Sequence, residues 1–91
     1  MRYYLACVSA ADELVGKLLD ALEQSPHATN TVVVVWGDNG FHLGEKDHFA
    51  KYTLWQQTAI VPLIIRVPGL TPAGAVCERP VSLQDLYPTL V

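Results

Sequence analysis

Hydrophobic residues recur at helical spacing through the first quarter of the chain. The apolar positions of this pattern are Leu5, Val8, Val15, Leu18, Leu19 and Leu22. Apolar residues three and four positions apart indicate an amphipathic helix that buries one face. Ser25-Pro26 ends the pattern, because the residue before a proline avoids helical dihedral angles. We therefore predict a helix from about Tyr4 to Gln24.

The next element is apolar on both of its faces. Thr31–Trp36 reads Thr-Val-Val-Val-Val-Trp, and a β-branched run of this kind is typical of a strand. A strand without a polar face is usually a central member of a parallel sheet that helices cover on both sides. We predict a buried strand over Thr31–Trp36 that is parallel to its neighbours. A loop rich in glycine and charge is predicted over Gly37–Ala50.

Turn residues separate the shorter elements of the C-terminal half. We predict a helical turn within Lys51–Thr58 and a second strand over Val61–Val67, with Pro62 at its start, where a missing N–H is tolerated. Ser82–Asp85 resembles a capping box and precedes leucines at helical spacing. Helix, buried strand, loop, strand and helix form an α/β pattern, and a pair of strands is marginal by itself. Residues 1–91 are therefore predicted to be a single partial domain, a piece of a larger doubly wound α/β domain.

Composition limits the classes of function. The chain has 91 residues, a net charge of -3 and only six lysines and arginines, which are scattered. This distribution argues against a surface for nucleic acid or for an anionic membrane. The apolar run Val32–Trp36 is far too short to span a bilayer. We expect no nucleic-acid partner and no membrane segment, and the sequence assigns no cellular compartment.

The residues best suited to bind a ligand directly follow the first predicted strand. Asp38-Asn39-Gly40 has the pattern of a hairpin turn, but ligands of open α/β sheets gather where strands end. Asp38 offers carboxylate oxygens and Asn39 an amide oxygen, which are hard donors that favour calcium or magnesium over zinc. Calcium takes about 6–8 oxygen ligands. We hypothesise that Asp38 and Asn39 supply two ligands of a Ca²⁺ site, with Mg²⁺ as the alternative metal and a simple turn as the alternative structure.

Lys51 lies 13 positions after Asp38, at the end of a loop long enough to return to the strand end. A lysine beside a divalent cation is repelled unless an anion lies between them. The combination therefore favours a phosphate-like or sulfate-like ligand, and a solvated surface charge is the alternative for a single lysine. His42 and His48 each carry a group able to protonate a leaving group, and whether either takes part stays open.

These residues resemble the sulfatase family of the alkaline-phosphatase-like superfamily. Thr31–Gly69 is similar to the second metal-binding segment of these enzymes, closest to the iduronate-sulfatase and choline-sulfatase type. The shared pattern is an apolar strand, Asp-(Asn/His)-Gly, Leu-Gly-Glu, an aromatic residue with a lysine, and Val-Pro-Leu-Ile. Ala11–Leu22 and Ser82–Leu90 are similar to flanking segments. The resemblance implies a partial alkaline-phosphatase-like doubly wound sheet and an internal fragment of a sulfatase catalytic domain.

The resemblance also implies roles for particular residues. Asp38 and Asn39 match the second pair of calcium ligands, and Lys51 matches the lysine that contacts the sulfate and its leaving oxygen. The implied substrate is a sulfate ester, with sulfated carbohydrate as one class. The family's nucleophile is a formylglycine made from cysteine in a C-x-(P/A)-x-R segment, and neither Cys7 nor Cys77 fits that segment. We therefore expect the formylglycine to lie N-terminal to this chain, and the chain alone to be inactive.

Two other functions stay open. A phosphonate or phosphate ester hydrolase of the same superfamily would share the strand, the metal pair and the lysine, and its nucleophile segment would distinguish it. A non-catalytic interaction module, in which Asp38-Asn39-Gly40 is only a turn, is the alternative from another class.

Overall fold

The computed structural model describes all of residues 1–91. The elements in chain order are α1 (Arg2–Glu23), β1 (Val33–Trp36), β2 (His42–Leu43), β3 (Phe49–Ala50), α2 (Gln56–Ala59), β4 (Leu63–Arg66) and α3 (Leu86–Leu90). Short 3₁₀ helices lie at Glu45–Asp47, between β2 and β3, and at Leu83–Asp85, before α3.

The main predicted elements are present with slightly different bounds. The first helix begins two residues earlier than predicted and ends at Glu23, directly before the predicted stop. Both predicted strands are shorter, and the second begins at Leu63, so that Pro62, which has no N–H to donate, directly precedes it. Ser82 Oγ accepts a hydrogen bond from Gln84 N–H at 3.3 Å, which caps the final helical segment.

The predicted parallel direction of β1 is wrong for the strand that it pairs with. β1 and β4 are antiparallel, with Val33 opposite Arg66 and Trp36 opposite Leu63. Gly37 N–H continues the ladder with a 3.1 Å bond to Pro62 O. Apolar residues on both faces of a strand indicate that other elements pack above and below it. They do not indicate whether the neighbouring strand is parallel or antiparallel. The structure combines helices with small antiparallel sheets, as an α/β fragment.

A second small sheet lies inside the predicted loop over Gly37–Ala50. β2 and β3 form an antiparallel hairpin in which His42 pairs with Ala50 and Leu43 with Phe49. Gly44 begins the turn with φ 121°, a value that favours glycine. Strands of two residues are too short to show an alternating pattern, so this hairpin had no periodicity by which it could be predicted.

Helix α1 lies over one face of the β1–β4 sheet. Its N-terminal end contacts the loop after β1 through Tyr4 and Phe41, whose ring centroids are 5.5 Å apart. Its C-terminal end contacts β4 through Glu23 Oε1, 3.2 Å from Arg66 Nη1. An open groove between helix and sheet is lined by residues that include Val8, Ala11, Val15 and Leu19 of the helix and Val33, Val35 and Ile64 of the sheet.

The only buried side chains lie away from that groove. They are His42 and Thr58, and no residue of α1 is buried. The one dry part of the chain is therefore a polar cluster beside the end of β1. None of the helices combines the length and the apolar character needed to cross a lipid bilayer.

Gly40 allows the loop after β1 to touch α2, and we expect Gly40→Ala to destabilise the full-length protein. A Cβ at Gly40 would lie 1.8 Å from Gln57 O. That oxygen belongs to the backbone and cannot rotate away. The expected loss is about 1–3 kcal/mol, as in other overpacked sites, measured as a lower Tm by scanning calorimetry.

Gly16→Ala is the matched control for this substitution. A Cβ at Gly16 meets nothing within 4 Å, and alanine is favoured over glycine inside a helix by about 1 kcal/mol. The control should therefore raise the Tm, and an equal Tm for the two variants would contradict the close contact at Gly40.

Candidate metal and anion site

The candidate site begins where β1 ends. Asp38 and Asn39 follow Trp36 and Gly37 directly, and the chain then passes through the β2–β3 hairpin before it reaches Lys51. Lys51 Nζ lies 3.7 Å from Asp38 Oδ2. This distance allows an ion pair but exceeds that of a hydrogen bond. The structure thus brings Lys51 and Asp38 together, as expected from the loop length, while their roles stay predictions.

Both charged groups are open to solvent. The Asp38 side chain is 84% exposed and that of Lys51 is 40% exposed. An exposed ion pair contributes only about 0–1 kcal/mol to stability. The ion pair is therefore too weak to determine the path of the loop, and the carboxylate of Asp38 is accessible to a further ligand.

The donor atoms fit a hard cation, although they do not make a complete metal site. Asp38 and Asn39 offer carboxylate and amide oxygens, the donors that calcium and magnesium take. No group of three or more His, Cys, Asp or Glu side chains is arranged to hold a metal ion in this chain. Further ligands would have to come from other protein groups, from substrate or from water. If a calcium ion is bound here, Asp38 and Asn39 would hold it, and its positive charge would favour the binding of an anion.

A broad open cleft starts at Asp38 and Asn39. It runs along β4 to the segment 77–83, and Arg79 is the only cation among its lining residues. Lys51 does not line this cleft. Asp38 therefore both lines this cleft and forms the ion pair with Lys51.

His42 is fully buried beside this site. Its Nε2 lies 2.8 Å from Thr53 Oγ1. The imidazole stands edge-on to the rings of His48 and Trp55, with ring centroids 5.1 Å away in both cases. A ring without exposed surface does not reach a ligand, so this conformation gives His42 no direct part in protonating a leaving group. His48 is half-buried, and its Nε2 lies 3.3 Å from Lys51 O.

Sequence reasoning missed the threonines of this cluster. Thr53 Oγ1 lies 3.0 Å from Thr58 Oγ1, and Thr58 Oγ1 lies 2.8 Å from Thr53 O. His42 and Thr53, which meet in this cluster, are 11 positions apart in the sequence. No local pattern marks such a contact, so the sequence offered no signal for it.

Glu45 carries the clearest electrostatic effect in the hairpin. Its Oε2 accepts a 2.7 Å hydrogen bond from Leu43 N–H. This bond, the N–H of Glu45 itself and, to a smaller extent, His42 hold the pKa of the carboxyl below its ordinary value of 4.5. The same oxygen lies 3.7 Å from His42 Nδ1. Glu45 therefore closes the turn of the hairpin as a carboxylate.

Comparison with known proteins gives a consistent result over the whole chain. Residues 1–91 match the family profile described as Sulfatase. A sulfatase of Formosa agariphila is 48% identical over 88 residues, which are 97% of this chain and 17% of the relative. The N-acetylglucosamine-6-O-sulfatase of Bacteroides thetaiotaomicron is 40% identical over 91 residues, or 100% of this chain and 16% of the relative. Human iduronate 2-sulfatase is 38% identical over 87 residues, which are 96% of this chain and 15% of the relative. No solved structure matches the chain.

The chain belongs to the sulfatase family. The resemblance drawn from Thr31–Gly69 and its flanks is confirmed, including its likeness to iduronate sulfatase and choline sulfatase. The chain spans about a sixth of the length of the relatives it matches. Its two cysteines, Cys7 and Cys77, are exposed free thiols.

We expect Glu45→Gln to lower stability only where Glu45 is ionised. Because the pKa of Glu45 is lower in the folded chain than its ordinary 4.5, the carboxylate stabilises the fold above that value. This contribution is lost as the pH falls through the folded-state pKa. The Tm difference between the full-length protein and the variant should be constant between about pH 6 and 7. It should become smaller as the pH is lowered to about 3.

Glu78→Gln, in the exposed segment before Pro80, is the control for the removal of one acid. Its Tm difference from the unmodified protein is expected to stay small at every pH. A Tm difference for Glu45→Gln that grows as the pH falls would contradict the assignment.

Proposed function

We propose that this chain is part of the catalytic domain of a sulfuric ester hydrolase. Within that domain Asp38 and Asn39 would be the second pair of metal ligands, and Lys51 the lysine that contacts the sulfate. The observation that carries this proposal is the 3.7 Å approach of Lys51 Nζ to Asp38 Oδ2 at the end of β1. Membership in the sulfatase family supports it. The surrounding fold we propose is an alkaline-phosphatase-like doubly wound sheet, of which residues 1–91 form one part.

Each residue has a role that its chemistry explains. The ammonium of Lys51 binds an oxygen of the sulfate ester and offsets the negative charge that grows on the leaving oxygen. Asp38 and Asn39 hold the metal ion, for which we propose Ca²⁺ with Mg²⁺ as the alternative. That ion supplies Lewis-acid polarisation of the sulfate oxygens. The attacking group is proposed to be a formylglycine outside this chain, since neither Cys7 nor Cys77 lies in a C-x-(P/A)-x-R segment.

The names of the relatives support a proposal for the substrate class. Two of them are named for sulfated sugars, N-acetylglucosamine-6-O-sulfatase and iduronate 2-sulfatase. A third is named choline-sulfatase, for a small organic sulfate. We propose a sulfate ester as the substrate, with sulfated carbohydrate as the preferred class.

Two alternatives use the same residues differently. A phosphonate or phosphate ester hydrolase of the same superfamily would also place a metal at Asp38 and Asn39 and an anion at Lys51. It would prefer 4-nitrophenyl phosphate or a phosphonate ester to 4-nitrophenyl sulfate. An interaction module would leave Asp38-Asn39-Gly40 as a turn, and its hydrolase activity would not depend on Asp38.

We expect Lys51→Ala and Asp38→Ala to lower kcat/KM for 4-nitrophenyl sulfate in the full-length enzyme. The expected loss is about 100- to 1,000-fold for Lys51→Ala, because one group that stabilises developing oxyanion charge is worth about this much. The loss for Asp38→Ala should come with less bound calcium, measured by mass spectrometry of the purified protein. Lys17→Ala and Asp20→Ala, both on exposed α1 positions, are the matched controls. Unchanged activity in the site variants would reject the proposed roles.

We expect the isolated 91-residue chain to show no turnover of an aryl sulfate. It should also bind calcium more weakly than a Kd of about 10 μM, because two protein donors are far from the 6–8 oxygens of a complete site. A chromogenic sulfatase assay and calorimetric titration measure the two properties. Turnover by the isolated chain, or a tighter Kd, would show that the chain holds a complete site.

A further inference from the structure

The backbone on either side of Lys51 has an unfavourable conformation. The φ angle is 115° at Ala50 and 72° at Tyr52. Side chains with a Cβ disfavour this left-handed region, and neither residue is a glycine. Strain of this kind persists only where surrounding contacts hold the backbone in place, and it often occurs at functional sites. The position of Lys51 therefore depends on groups that fix this turn from outside.

Two histidines bond to the chain around the strained turn. His48 Nε2 lies 3.3 Å from Lys51 O. His42 Nε2 lies 2.8 Å from the hydroxyl of Thr53, two residues beyond Lys51. His42 is completely buried, whereas the Lys51 side chain is 40% exposed. The backbone of this turn is thus attached through Thr53 to the buried His42, whereas the ammonium of Lys51 is on the solvent-exposed side.

Counting protons gives the hydrogen bonds of this cluster one direction. The Thr58 hydroxyl lies 2.8 Å from Thr53 O and 2.9 Å from Trp55 O, and these carbonyls take its only proton. Thr58 Oγ1 therefore accepts from the Thr53 hydroxyl at 3.0 Å, and Thr53 Oγ1 accepts from His42 Nε2–H. The Nδ1 of His42 has no hydrogen-bond partner. His42 is accordingly the first donor of a chain of bonds that ends on the backbone of residues 53–55.

The cluster also reaches the metal-ligand side of the site. Gly40 N–H donates a 3.0 Å bond to Thr58 O, which connects the loop after Asp38 and Asn39 to the same threonine. One buried cluster therefore holds the backbone near Asp38 and the backbone near Lys51. A change at His42 would alter the distance between the two charges without removing either of them.

We propose that His42 is a positioning residue that fixes the strained Ala50–Tyr52 turn through Thr53 and so holds the Lys51 ammonium beside Asp38. This inference rests on the proposed role of Lys51 toward a sulfate ester. His42 touches neither substrate nor metal in this arrangement, and it acts only through the backbone that carries Lys51.

The test is a double-mutant cycle in the full-length enzyme with 4-nitrophenyl sulfate. His42→Ala is expected to lower kcat by roughly 100-fold, because a misplacement of about 1 Å has this effect. KM should change much less, since the leaving-oxygen contact matters mainly in the transition state. In a Lys51→Ala background, His42→Ala should lower kcat/KM no further, because the two residues act as one unit. An equal fold-loss in both backgrounds would overturn the proposal.

Additional variants keep the test decisive. Thr53→Val removes the hydroxyl at nearly constant shape, and it replaces His42→Ala in the cycle if that variant does not fold. His42→Gln keeps a buried donor and should recover at least part of the lost kcat, whereas kcat as low as in His42→Ala would contradict the proposal. His27→Ala, at an exposed turn position, should leave kcat unchanged. If Lys51→Ala is fully active, the proposed function of Lys51 fails. If Lys51→Ala is impaired but His42→Ala is not, only the positioning role fails.

Discussion

The hydrogen bonds that join His42, Thr53 and Thr58 hold the one part of this chain that is removed from water. His42 and Thr58 are its only buried residues. A buried polar group is costly unless it is bonded, so a cluster of this kind permits few alternative arrangements. These bonds connect the loop that carries Lys51 to the buried cluster through Thr53. Gly40 completes the arrangement, since any side chain there would collide with the backbone of α2.

The ion pair between Lys51 and Asp38 is a consequence of this arrangement and does not cause it. Both side chains are substantially exposed, and the attraction between exposed charges is too weak to maintain two unfavourable φ angles. A weak and accessible pair suits a binding site. An anion that binds Lys51 or a cation that binds Asp38 has to displace only this weak ion pair. The buried cluster meanwhile keeps both groups in place.

The apolar strands have a different relation to their surroundings. β1 and β4 form a two-stranded antiparallel sheet. An open groove separates it from α1, and an open cleft along β4 separates it from the segment 71–83. Trp36 and Ile64 consequently remain 51% and 62% exposed. The run Thr31–Trp36 led to the prediction of a buried strand, because β-branched and aromatic residues on both faces match a strand with a layer on each side. That burial is wrong for this chain, in which no residue of β1 is buried. The residue types therefore indicated that both faces of these strands can be packed against other elements. They did not indicate which strand pairs with which.

The sequence by itself determined the elements and motifs that depend on near neighbours. Helical spacing and Ser25-Pro26 defined α1, and the valine run defined β1. The longer pattern over Thr31–Gly69 and its flanks carried the resemblance to the sulfatase family, since its motifs follow one another in a fixed order and spacing. Only the tertiary structure decided the antiparallel pairing of β1 and β4, the β2–β3 hairpin and the burial of His42 against Thr53. These features depend on contacts between residues 6 to 33 positions apart, whose free energies no local pattern encodes.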